Sequence, residues 1–331
     1  VLGQAQWALL AASGLGALAI PLLEGPAQVW LLLCSTLLVG IAGAYELTAR
    51  NKYCSIMVEQ PEQLAGYLTS FSVVFNVGKL VGPPIGGWLL AATGPAWALG
   101  IDAASYLLPI ASVTFLLRPN REQEVRSSGG QDASLLNAWR HCGSTLQGVL
   151  SFTAVLCLIS FYHPGLAPLI AFEQLGAEPT DLGLFTSVLA GGSIVGGVVL
   201  QRNSQRFCRR PFLTLGGFGL ITAVAQLGMA RTPGPGFSLA MAFLIGAGTA
   251  GLLSSCNLIT QIGSPQVMRG RMAGLGQIAF LGGGGMSGLL VALLVMATSL
   301  STAFALTGGL TTAIAVLWIR KRGMRQLEPL R

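Results

Sequence analysis

The sequence predicts an all-α integral membrane protein, a bundle of about ten transmembrane helices, and three observations carry that prediction. The first is composition. Of 331 residues, 52% are hydrophobic and only 9% charged, with a mean hydropathy of +0.67. A soluble domain carries roughly 25% charged residues, so this chain lacks the polar side chains to clothe a globule in water. The second is periodic length. A hydrocarbon core of about 30 Å takes about 20 apolar residues as a helix, and such runs recur along the whole chain. The third is charge placement, because nearly all basic residues fall on alternate loops.

The ten runs are 5–23, 29–47, 66–92, 96–117, 143–171, 182–201, 212–230, 237–260, 272–297 and 301–319. The first has no basic leader and more spans follow it, so it does not read as a cleavable signal peptide. The chain opens on Val1 rather than Met, which leaves room for an upstream segment. The second closes with Glu46, placed to pair with Arg50 one turn on. Residues 118–140 form the longest polar stretch, with Pro119, Ser127, Ser128, Gly129 and Gly130, and read as a flexible linker. It separates a half of four spans (1–117) from one of six (141–331). Its end, from Ala133 to Arg140, has the pattern of a short amphipathic helix whose Leu135, Leu136 and Trp139 suit a headgroup region.

Orientation follows from Lys and Arg. With the first span starting in the cytoplasm, the inner side receives Arg50, Lys52, Arg118, Arg121, Arg126, Arg140, Arg202, Arg206, Arg209, Arg210, Arg269, Arg271, Arg320, Lys321, Arg322, Arg325 and Arg331. Only Arg231 falls outside and only Lys79 within a span, completing the 19 basic residues. A wrong span count would scramble this asymmetry. It predicts ten crossings with both ends cytoplasmic, and the expected location is the cell (inner) membrane. The formal charge of +7 is thus a set of membrane anchors at span ends rather than one groove-sized patch, which argues against nucleic acid as a partner. The scattered cysteines (Cys34, Cys54, Cys142, Cys157, Cys208, Cys256) have no C-x-x-C spacing and predict neither a disulfide framework nor a metal site. No cofactor is expected.

The third span holds the most informative string, Asn76-Val-Gly78-Lys79-Leu-Val-Gly82-Pro83-Pro84-Ile-Gly86-Gly87. Glycines every four residues leave a groove along one helix face for a close neighbour, and the prolines remove backbone donors and bend the helix. The pattern fits a moving interface or a tightly packed helix. Gly78, Gly82, Pro83, Gly86 and Gly87 resemble the G-x-x-x-G-P-x-x-G-G motif of drug:proton antiporters in the major facilitator superfamily. Ile101-Asp102-Ala103-Ala104-Ser105-Tyr106, at the outer start of the fourth span, is similar to the branch containing enterobactin and macrolide exporters, as is Arg269-Gly270-Arg271-Met272. Gly197, Arg202 and Arg206 match that superfamily's G-x-x-x-D-R-x-G-R-R loop motif, while Gln201, Ser204 and Gln205 depart from it. The resemblance implies helices three to twelve of a twelve-helix fold. It further implies proton-coupled efflux by alternating access of two halves, energy from a proton gradient and a monomeric transporter.

Candidate substrate or proton residues follow. Lys79 departs from the motif, and a lysine near mid-membrane costs about 3 kcal/mol or more. It reads as an anion or proton contact shared with Asn76, or as a structural pair or snorkelling side chain. The carboxylate considered for such a pair is Asp102, about 10 Å nearer the outer face on 1.5 Å per residue, and no acidic residue lies clearly mid-membrane. His163, in Phe161-Tyr162-His163-Pro164, is a proton carrier near neutral pH or a polar residue packed beside a kink. Asn257, Gln261 and Gln226 are substrate contacts or helix-to-helix hydrogen bonds. Enzyme signals fail. Gly246-Ala-Gly248-Thr-Ala-Gly251 reads G-x-G-x-x-G but lies mid-span without a preceding strand, and Gly282–Gly285 lacks the Lys-Ser/Thr of a phosphate loop. The expected function is transport of a drug-like or siderophore-like small molecule through the lipid bilayer. The rivals are a non-transporting remnant or scaffold and, behind it, a membrane-embedded lipid transferase.

Overall fold

The structure, a computed structural model, describes residues 2–57, 78, 81–82, 85–116, 135–176, 178–231, 234–264 and 269–322, and every regular element among them is helical. Among the described residues, nine helical segments are long and apolar enough to cross a membrane, and each coincides with one predicted run. The tenth run, 66–92, lies largely outside the described residues. The chain forms two compact units, Val1–Gly78 with Ile85–Gln131, and Lys79–Pro84 with Asp132–Arg331.

In the first unit, α1 (Leu2–Leu22) packs against α2 (Pro26–Met57) and α4 (Pro95–Ser105). Residues 85–93 form α3, and α5 (Leu107–Ala111) runs on into a π turn at Ser112–Leu116. The buried side of α1 carries Ala5, Leu9, Ala12, Gly16 and Ala19, alternating steps of four and three that keep small residues on one seam. Small side chains there let backbones approach where lipid offers no hydrophobic drive between helices. A Cβ on Gly16 would press on the Ser35 hydroxyl, and that hydroxyl donates 2.7 Å to the Ala12 carbonyl. The turn before α4 is Gly94-Pro95. Gly94 sits at φ +80°, open only to glycine at low cost, and Pro95 starts the helix where its missing N–H is not needed.

The second unit comprises α6 (Leu135–His141), α7 (Gly143–Ser160), α8 (His163–Gln174), α9 (Pro179–Arg202), α10 (Ser204–Arg209), α11 (Pro211–Met229), α12 (Pro235–Ile262), α13 (Arg269–Gln277), a π turn (Ile278–Gly282), α14 (Gly283–Ala297) and α15 (Leu300–Arg322). One apolar cluster joins Leu146, Phe152, Leu156, Phe212, Leu215, Ile259 and Phe280. A second joins Tyr162, Ile170, Phe185, Met229, Ile245 and Phe304. The predicted amphipathic helix forms as α6, but Trp139 packs against the first cluster and its carbonyl accepts from Gln147 Nε2 at 2.8 Å.

Helices α9 and α12 pack most extensively, and glycine is the reason. A Cβ on Gly192 would run into the Phe243 carbonyl, one on Gly196 into the Ala247 backbone, and one on Gly246 into the Leu189 carbonyl. On the next face of α12, Gly248 lies against the Phe218–Thr222 turn of α11 and Gly251 against the Phe218 ring. The G-x-G-x-x-G string is therefore a two-sided packing surface. In the glycine run of α14, Gly283 abuts the Ala154 carbonyl and Gly284 the Phe161 ring.

Candidate functional site

Within the first unit, the polar side chains of α1 converge on two carboxylates. Gln6 and Ser13 lie seven residues apart on α1, which returns them to almost the same face two turns apart, about 10 Å along the axis. Ser13 Oγ donates to Asp102 Oδ2 at 2.7 Å. Gln6 Nε2 donates to Glu46 Oε1 at 3.4 Å. Tyr106, one turn beyond Asp102, is half-buried and within electrostatic reach of both Asp102 and Glu46. The sequence reading put Asp102 at the outer start of its span. It lies in the Pro95–Phe115 span, as in the predicted run 96–117, and its bond to Ser13 joins it to the middle of α1. Glu46 takes the α1 amide as a partner, while the side chain of Arg50 lies outside the described residues.

A groove of about 540 Å³ runs between α1 and α2 on a neighbouring face, lined by residues including Ala5, Ala8, Ala12, Leu38, Ala42 and Tyr45.

Within the second unit, His163 lies at a break in one long span. Residues 161–162 leave the helix between α7 and α8, because Pro164 has no N–H to offer the Ser160 carbonyl four residues back. Gln226 of α11, fully buried, supplies the missing donor, with Nε2 3.1 Å from the Ser160 oxygen. The same amide nitrogen lies 3.5 Å from His163 Nε2. The imidazole is 1% exposed and stacks on Tyr162 at 4.3 Å between ring centres. Tyr162 in turn shares a 2.9 Å hydrogen bond with Thr307 of α15. Gln226 is thus a helix-to-helix bond, one of the two roles its sequence allowed, and His163 is packed beside the kink.

Asn257 is half-buried on α12, its Oδ1 near Gly276 of α13 and without a hydrogen-bond partner. Gly197 has open space around it, and Arg202 and Arg206 are exposed at the α9–α10 corner. Gly78, Gly82 and Gly86 have no atom pressing on their Cβ positions, and Gly87 is buried. Asn76, Lys79 and Pro83 lie outside the described residues. Among the described candidates, Asp102 meets Ser13 and His163 meets the Gln226 amide, two pairings that the sequence reading missed. The only signal for Ser13 and Gln6 was their spacing, seven residues apart in an apolar run.

The chain belongs to the transmembrane secretion effector family of the major facilitator superfamily, whose family model matches residues 2–328. The resemblance read from the glycine-proline string therefore holds. One relative is the multidrug efflux pump Tap of Mycolicibacterium fortuitum, 26% identical over 234 residues that cover 64% of this chain and 53% of that protein. The chain thus spans about half the length of the curated relative it matches. Among solved structures it resembles the peptide transporter POT in complex with sulfate, with a TM-score of 0.70, 12% identity, and coverage of 98% of this chain and 81% of that one. It also resembles the nucleoside transporter NupG, with a TM-score of 0.67, 14% identity, and coverage of 96% and 82%. Identities this low carry the fold alone: a multi-pass helical bundle of the major facilitator type.

Proposed function

We propose that the chain is the transport body of a secondary active exporter that moves a small drug-like or siderophore-like molecule out of the cell in exchange for protons. The family match supports the transporter class, and the efflux-pump relative supports export. The observation that carries proton coupling is the Ser13–Asp102 pair, a carboxylate inside a span on a hydroxyl that serves as donor or acceptor. Ionisable groups inside membranes are expensive and mark ion pathways. Residues 1–117 and 141–331 act as two transmembrane halves joined by the cytoplasmic linker 118–140, and rocking between them exposes the substrate site to each side in turn.

In this reading Asp102 exchanges the proton, and Asn76 and Lys79 face the substrate. Asn257 and His163 are secondary candidates. The string from Gly78 to Gly87 bends and slides at the moving interface, and Gly197, Arg202 and Arg206 organise the cytoplasmic loop. The protein works as a monomer in a bacterial inner membrane with both ends of this chain cytoplasmic. It is not an enzyme.

The test is efflux of candidate drugs and siderophores from proteoliposomes holding the full natural chain, with and without an imposed proton gradient. At least one compound moves only with the gradient, and Asp102→Asn abolishes the gradient dependence. If no compound moves under either condition, the transporter reading loses its support.

A further inference from the structure

We propose that the corner from α9 to α11 in the second unit is a docking site for an anionic glycerophospholipid, its headgroup on four arginines and an acyl chain along α9. Such a site gives a ligand to residues assigned above only to the organisation of a loop, and it does not depend on what the chain transports.

Charge along the second unit is one-sided. No Asp or Glu occurs between Asp181 and Glu328. Inside that stretch Arg202, Arg206, Arg209 and Arg210 crowd one corner, and all four are exposed. The described carboxylates of this unit, Glu173, Glu178 and Asp181, sit at the end of α8 and the start of α9. Asp181 and Arg202 stand at opposite ends of α9, about 32 Å apart at 1.5 Å per residue. That is several times the Debye length of about 8 Å at physiological salt, so these acids leave the corner unneutralised.

Packing turns the positive charge outward and fixes it. Cys208 of α10 is buried in the first apolar cluster, and Phe207 meets Phe218 edge-on with ring centres 6.1 Å apart. The Phe207 carbonyl accepts from Thr214 Oγ1 at 2.8 Å, which ties α10 to α11. With Phe207 and Cys208 turned in, Arg206 and Arg209, three residues apart, share the opposite face, and Arg210 follows directly. Guanidinium groups take phosphate oxygens in bidentate pairs, and basic clusters beside a span attract anionic lipid. The neighbouring face of α9 supplies the second half of a lipid site. Val195, Val198 and Val199 are exposed at seven, four and three residues before Arg202, hence on the same helix face. A headgroup held at the corner lays its acyl chain on these valines. An acidic peptide or a free phosphate would use the arginines and leave the apolar strip bare.

The test is native mass spectrometry of the full natural chain in detergent, titrated with phosphatidylglycerol or with phosphatidylethanolamine of the same acyl chains. The wild type retains phosphatidylglycerol in preference, and added salt weakens that preference. One charge near an anionic surface is worth about a fivefold gain, so Arg206→Gln/Arg209→Gln/Arg210→Gln binds phosphatidylglycerol weaker by roughly a hundredfold. Arg320→Gln/Lys321→Gln, at the end of α15, leaves the binding unchanged. Equal retention of the two lipids overturns the proposal, and so does a triple variant that binds like the wild type. An equal loss from the α15 variant also overturns it, because the charge of the whole face would then be the cause. Binding of polyglutamate without any lipid preference would assign the corner to an acidic protein instead. Thermal unfolding of the same samples shows that the variants are folded. If the triple variant is not, the wild type decides, since phosphatidylglycerol retention indifferent to salt rules the site out.

Discussion

At Pro164 a missing N–H sets the structure around it. The Ser160 carbonyl loses its helical donor, the span breaks at residues 161–162, and Gln226 supplies the replacement from another helix. Replacing Gln226 by Leu leaves that carbonyl unsatisfied, a loss of about 1–3 kcal/mol, read as a lower midpoint of thermal unfolding in detergent. Pro164→Ala restores the local donor. The double variant Pro164→Ala/Gln226→Leu is therefore less destabilised than the sum of the singles, with a coupling of about 0.5–3 kcal/mol. Strict additivity would show that the amide does not stand in for the lost N–H. His163, stacked on Tyr162 and against the Gln226 amide, belongs to this joint. Its sequence neighbours already held the explanation in Pro164, but not the partner 63 residues away.

At the scale of the helix, glycine spacing has two outcomes in one chain. Gly192, Gly196 and Gly246 meet backbone atoms of the facing helix, while among the described residues nothing lies within 4 Å of a Cβ on Gly78, Gly82 or Gly86. The physical consequence differs. Gly246→Val forces α9 and α12 apart and destabilises the second unit by about 1–3 kcal/mol or more. Gly217→Ala, with nothing within 4 Å of its Cβ, stays within about 0.5 kcal/mol of the parent. Thermal unfolding of both variants checks this, and equal midpoints would mean that the α9–α12 contact is not close. Turns divide in a similar way. Gly94-Pro95 and Gly234-Pro235 make short turns at positive φ, whereas the α9–α11 connection carries Arg202, Arg206, Arg209 and Arg210 through a short helix.

For the whole molecule, the charge asymmetry fixes a testable orientation. Arg206 and Arg231, both exposed, sit at opposite ends of the second unit's spans in the proposed topology. Arg231→Cys is labelled by an impermeant thiol reagent on intact cells, and Arg206→Cys only after permeabilisation. The reverse pattern would invert the protein. Native thiols do not confuse the assay. Cys142, Cys157, Cys208 and Cys256 are buried. Burial also pushes the Cys142 and Cys208 thiols above their ordinary range, so at neutral pH they hold less of the reactive thiolate. Cys34 is exposed and the side chain of Cys54 lies outside the described residues, so both are replaced by Ser in the test background. The sequence by itself determined the membrane class, nine of the spans now described and the family, because hydropathy, charge placement and local motifs are properties of contiguous residues. Only the tertiary structure decided that Asp102 meets Ser13, that Gln6 holds Glu46, and that the G-x-G-x-x-G string packs helices. Those outcomes depend on which faces of distant helices meet, and a nearly uniform apolar helix leaves its facing partner unspecified until the bundle is assembled.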